Sequence, residues 1–221
     1  MGTGDGERSD RRVVRTHTRL RAAIVELVAD KGYQAVTVDH ICERAGLTRA
    51  TFYAHFRDKE HLLASVADDL VDLCLAAFAA TGATADHAGE RLVVLFEQAR
   101  HHDVALRLVL RGEGDGAALR RLRQRLTTIV DEALDGAVAE VGSRPLVPLP
   151  VLSTLLVGEI LALLGWWLEH DDPGTDARRA VTWLRATSLH GRLWALGIDD
   201  RVLSTNRAAA FRAGLPPKER T

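Results

Sequence analysis

Apolar side chains recur at intervals of three and four through the first 144 residues, a stretch that holds none of the six prolines (145, 148, 150, 173, 216 and 217). This is helical periodicity, and nothing in the stretch would break a helix outright. Ile24, Leu27 and Val28 form one stripe in a helix predicted from Arg11 to Asp30 and closed by Lys31-Gly32. Thr37 opens a short helix through Arg44 that stops at Gly46, and Thr48 opens another through Phe56. Asp58 caps a fourth, to about Ala80, with Leu62, Leu63, Val66, Leu70 and Leu73 predicted inward. Beyond Thr81-Gly82 the pattern predicts helices over Asp86–His102, Val104–Leu110 and Asp115–Val141. The last of these carries Leu119, Leu122, Leu126, Ile129, Ala133 and Ala137 on one face. After a linker marked by Pro145, Pro148 and Pro150, two more helices are predicted over Val151–His170 and Asp176–Leu196. No segment reads as a strand. The expected architecture is all-α, with about nine helices.

The 221 residues are 47% hydrophobic and 27% charged, a globular balance that excludes wholesale disorder, collagen and a disulfide scaffold. A net charge of −1 draws the chain toward no anionic partner, but the charge is unevenly placed. Between Arg8 and Arg57 ten basic residues stand against five acidic ones, a basic module joined to something else. Cys42 and Cys74 have no metal-ligand spacing and read as small buried side chains in a reducing compartment. Met1–Asp10 lacks the apolar core of a secretory signal, so a cytoplasmic location is expected.

The segment from Thr37 to Phe56 concentrates the chemistry. Two capped helices of two to three turns are separated by a minimal turn at Gly46, where a positive φ suits glycine. Val38, Ile41 and Ala45 on the first can face Leu47, Phe52 and Phe56 on the second. Such a pair is a helix-turn-helix, and its second helix has the size to enter a major groove with its N-terminal residues at the base edges. Taken singly the parts are bland: Phe52 and Phe56 are core, His40 and His55 pass for surface histidines, and the arginines at 8–21 for a solvated face. Their coincidence at fixed intervals carries the DNA-binding reading.

Residues 11–60 resemble the DNA-binding domain of the TetR family of transcriptional repressors. The resemblance is carried by Thr37-Val38, Ile41, Ala45-Gly46-Leu47-Thr48, Thr51-Phe52-Tyr53, His55-Phe56 and Asp58-Lys59-Glu60 followed by Leu62-Leu63. It implies that Arg49, Ala50, Thr51 and Ala54, on the helix that Thr48 opens, present toward bases. It also implies that Thr37, Tyr53, His55 and Lys59 contact phosphates. Arginine can pair bidentately with guanine, while threonine and alanine can meet a thymine methyl. Arg11, Arg12 and Arg15 are candidates for an arm along the backbone or in the minor groove.

Residues 86–196 resemble the family's variable ligand domain only in architecture, with Gly165-Trp166-Trp167-Leu168-Glu169-His170 similar to one subgroup. Val151–Leu168 has Glu159 as its only charge and the length of a short membrane span, but reads better as a helix buried on nearly all sides. Gly158, Ala162 and Gly165 form a groove of small residues, and Trp183, Thr187, His190 and Trp194 share one face of the last helix. Together these are the expected homodimer interface, as the resemblance implies. Helices between Asp86 and Val141 are expected to enclose a mostly apolar pocket for a small effector. Leu92, Leu95, Phe96, Val109, Leu122, Leu126 and Trp166 are its apolar candidates, and Arg100, His101, His102, Arg107 and Arg111 its polar ones.

Other chemistries find little support. His101-His102 point about 100° apart on a helix with no third ligand in register, so no metal is expected. Gly112-x-Gly114-x-x-Ala117 lacks the preceding strand of a dinucleotide fingerprint, and no catalytic triad is visible. The expected organisation is a disordered arm (1–10), a DNA-binding domain (11–58), a connecting helix (59–80), a ligand-binding and dimerisation domain (81–203) and a flexible tail (204–221). The partners expected are double-stranded DNA, a second copy of the chain and a small apolar effector, with no cofactor, membrane or enzymatic activity. The alternative is a DNA-binding regulator without an effector, whose C-terminal half only dimerises or docks a protein.

Overall fold

A computed structural model describes residues 3–80, 88–170 and 174–195. Among them are nine α-helices and one 3-10 turn, and no strand. The helices are α1 (Thr3–Lys31), α2 (Val38–Ala45), α3 (Arg49–His55), α4 (Lys59–Ala80), α5 (Ala88–His101), α6 (Asp103–Leu110), α7 (Ala117–Val141), α8 (Leu149–Glu169) and α9 (Ala177–Ala195). Helix α1 begins at Thr3, inside the stretch expected to be an arm, because no residue between Thr3 and Arg11 breaks a helix outright. The 3-10 turn, Tyr33–Ala35, is a feature the periodicity does not announce. The expected tail 204–221 and the end of the last helix at Leu196 lie outside the described residues.

The chain divides into two compact units. The first comprises residues up to Leu73 together with His102–Leu122. Its core is built by Leu20, Ile24, Ile41, Phe52, Phe56, Leu62, Leu63 and Val109, with α1 packed against α2 and against α6. Arg21 holds α1 to α4, donating to the Ser65 carbonyl at 3.4 Å and pairing with Asp69 at 3.0 Å. The loop before α7 has positive φ at Gly112, Gly114 and Gly116. At Gly114 a Cβ would stand 2.8 Å from the Tyr33 hydroxyl, so only glycine lets this loop lie against the tyrosine.

The second unit contains α5, α8, α9 and α7 from Arg123 onward. Phe96, Leu164, Trp167, Leu168, Ala180 and Val181 are buried in it. Trp167 packs at a tilt against Phe96, ring centres 5.4 Å apart, and donates its indole N–H to the Thr175 carbonyl at 2.8 Å. Helix α8 has the length and apolarity to cross a membrane, and 44% of that window is buried within the chain. Contrary to the expectation from its composition, it is not buried on nearly all sides. Leu152, Val157, Ile160, Leu161, Leu164 and Leu168 point inward, while Val151, Leu155, Gly158, Ala162 and Trp166 form an exposed stripe along the opposite face. Leu73 of α4, expected inward, is also exposed, and Cys74 beside it is half-buried rather than buried. Desolvation raises the Cys74 thiol to about 11.

Candidate nucleic-acid interface

The helix-turn-helix is fixed by its caps. The Thr37 hydroxyl accepts from the His40 amide at 3.3 Å, and the His40 ring accepts in return from the Thr37 amide, closing a capping box at the start of α2. Gly46 ends α2 at φ 61 and ψ 43, a left-handed conformation that costs other residues about 1–2 kcal/mol. Thr48 caps α3 by accepting from the Thr51 amide at 3.2 Å. One and two turns later Phe52 and Phe56 pin the helix into the core, buried at 0% and 3% exposure. What remains of α3 faces outward by geometry: Thr48, Arg49, Ala50, Tyr53 and Ala54 are exposed, and Thr51 is half-buried.

The outward face is organised. Arg49 donates to Asp39 of α2 at 2.6 Å and to the Tyr53 hydroxyl at 3.5 Å, with its guanidinium 5.8 Å from the Tyr53 ring centre. Thr37, at the opening of α2, is exposed on the same motif. His55 turns toward α1, its Nδ1 at 3.3 Å from Nε2 of His17, so one ring nitrogen must hold the proton and the other must lack it. Burial, then the positive charges of His55, Arg21 and His61, hold the His17 ring below its ordinary 6.5. Lys59 is tied into the scaffold: its ammonium donates to the Tyr33 and Val36 carbonyls at 3.2 and 3.0 Å and lies 4.2 Å over the Tyr33 ring. At most one of its three hydrogens is left for a phosphate.

The basic excess is smaller at the surface than in the count. Arg44 is paired with Glu26 at 2.9 Å and Asp30 at 3.5 Å, Arg21 with Asp69, and Arg49 with Asp39. Arg12 and Arg15 are exposed along α1, and so is Arg11. Asp39 and His17 join the site although no motif in the sequence singles them out. Their residue types and helical positions are visible in the sequence, but their partners lie 10 and 38 residues away. Only the crossing of α1, α2 and α3 brings them together.

The expected effector residues separate. Phe96, Arg100, His101 and Trp166 belong to the second unit, whereas Arg107 and Arg111 belong to the first with Val109 and Leu122. Arg100 lies 4.1 Å over the Trp167 ring, and the His101 ring hydrogen-bonds the Glu97 carbonyl at 2.8 Å. Arg107 pairs with Asp103 one helical turn away. Trp166 is on the exposed stripe of α8, stacked on His170 at 4.5 Å and edge-on to Trp183 at 6.0 Å. Of the expected interface residues, Gly158, Ala162 and Thr187 are exposed, and Gly165 and Trp183 half-buried. His190 and Trp194 lie on α9, with side chains outside the described residues.

Comparison with known proteins agrees with this geometry. The family model for bacterial regulatory proteins of the tetR family matches residues 20–66, the span from mid-α1 into α4. The chain is 44% identical over 55 residues to an uncharacterized HTH-type transcriptional regulator, YxbF, of Bacillus subtilis (strain 168). That match covers 24% of this chain and 14% of YxbF, and the chain spans at most about a fifth of the curated relatives it matches. Among solved structures, a TetR-family transcriptional regulator from Syntrophomonas wolfei superposes with a TM-score of 0.67 at 15% identity, covering 83% of this chain and 96% of that one. NalD of Pseudomonas aeruginosa, the secondary repressor of the MexAB-OprM multidrug efflux pump, superposes with a TM-score of 0.55 at 21% identity, covering 80% and 96%. Residues 20–66 thus match the model of the tetR family of bacterial regulatory proteins, and the chain has the all-helical fold of TetR-family structures.

Proposed function

We propose that this protein is a ligand-responsive transcriptional repressor that binds a palindromic operator as a homodimer in the cytoplasm. The observation that carries the proposal is the outer face of α3, where Thr48, Arg49, Tyr53 and Ala54 stand clear of a helix anchored by Phe52 and Phe56. A single helix of this size contacts only a few base pairs, so specificity calls for two copies about 34 Å apart on one face of the duplex. The exposed apolar stripe of α8, with half-buried Trp183 of α9, supports self-association, because water is a poor partner for it and a second copy would cover it. NalD, a repressor with the same fold, supports the direction of control.

An effector bound within residues 86–170 would act by preferring one spacing of the two α3 helices. Helix α4 is the natural carrier, since its first part clusters with the DNA-binding unit and its last turns with the other. The test is a mobility-shift assay on DNA flanking the protein's own gene, comparing the wild type with the double variant Arg49→Ala, Tyr53→Ala. Loss of about a hundredfold in affinity is expected from removing one base-reading and one backbone-contacting group. Unchanged binding would overturn the assignment.

A further inference from the structure

An acidic side chain stands on a surface that has to approach a polyanion. Asp39, in the first turn of α2, is exposed, and its Oδ1 accepts from Nη1 of Arg49 at 2.6 Å. Arg49 is the first residue of α3, and its Nη2 reaches the Tyr53 hydroxyl at 3.5 Å. An unrestrained arginine samples many rotamers and follows any nearby phosphate. Here one guanidinium nitrogen is tied back to α2 and another leans on the outward ring, which leaves donors for a single planar acceptor. Guanine offers such an acceptor in its O6/N7 edge.

Resting on the reading of α3 as the DNA-reading helix, we propose that Asp39 is a positioning residue for specificity. It holds Arg49 for bidentate contact with one guanine in each half-site and opposes looser phosphate pairing. The carboxylate repels the duplex as a whole, so it lowers affinity for random sequence while sharpening the choice of one base pair.

The experiment selects binding sites from a pool of duplexes with a randomised core, using wild type, Asp39→Asn, Arg49→Ala and the double variant. Each protein is also titrated at low salt onto a fixed random-sequence duplex. The wild type should enrich a palindrome. Asp39→Asn should lose about tenfold of the preference for guanine at one position per half-site. Its affinity for the fixed duplex should stay level or rise, which also shows that the variant is folded. In the Arg49→Ala background, Asp39→Asn should change no preference further. A wild type that enriches no sequence sinks the DNA-reading assignment itself. A wild-type palindrome left unchanged by Asp39→Asn, or an Asp39 effect that persists without Arg49 as a direct cytosine contact would, overturns this inference alone.

Discussion

Helices α3 and α8 both leave a face uncovered, and the two faces differ in chemistry. On α3 the uncovered residues are a threonine cap, an arginine already holding a carboxylate, a tyrosine 49% exposed, and beside them only the small Ala50 and Ala54. On α8 they are Val151, Leu155, Gly158, Ala162 and Trp166, with Leu155 59% exposed. A polar face rests in water at little cost and can exchange that water for phosphates and base edges. An apolar face of this length is stabilised by removal from water, which favours a protein surface of like character. The contrast suits the two faces to partners of different chemistry.

The contrast is broken most severely by removing what anchors the polar face. Phe52→Ala leaves a cavity beneath α3 and should cost about 3–5 kcal/mol, read as a large drop in the unfolding midpoint. A loss below about 1 kcal/mol would mean that α3 is not pinned from beneath. Next in size is Leu155→Arg on α8. Within one protomer it should move stability by no more than about 0.5 kcal/mol, because the side chain is exposed. In a twofold interface it acts twice, so sedimentation should show self-association weakened by tenfold or more. A wild type that is monomeric at micromolar concentration, or a variant that assembles equally well, would remove the reading of the stripe as self-complementary.

The smallest expected effect is a dependence on pH confined to the α1–α3 junction. In the fold His17 takes up its proton below 6.5, chiefly because burial disfavours the charge and His55, Arg21 and His61 add repulsion. The unfolded chain therefore binds more protons as pH falls through 6.5, and stability declines from there until the folded ring is itself protonated. Melting midpoints near about pH 7.5 and about pH 5.5 should differ less in His17→Gln than in the wild type. Equal differences would show that the His17–His55 contact does not respond to protonation.

Much of the first unit was legible because its signals are local. A cap, a turn glycine and an aromatic pair at i, i+4 act within one or two helical turns, so Thr37, Gly46, Thr48, Phe52 and Phe56 could be placed from spacing alone. The second unit was legible as helices but not as surfaces. The composition of α8 is apolar nearly throughout, and periodicity cannot separate a face packed on its own chain from one left for another. Trp166 and Trp167 are neighbours in sequence, yet one is exposed and the other 2% exposed, a difference set by where α5 and α9 pack.

The sequence by itself determined that this chain is helical, where most of its helices begin and end, and that one short pair of them has the form of a helix-turn-helix. Those outcomes follow from hydrogen-bond satisfaction at caps and from the period of apolar burial, both short-range. Tertiary structure alone decided that Asp39 meets Arg49, that His17 meets His55, and that residues 102–122 cluster with the first unit, where Gly114 lies against Tyr33. These contacts join residues far apart along the chain, and their geometry is set by how helices cross rather than by the preference of any one segment.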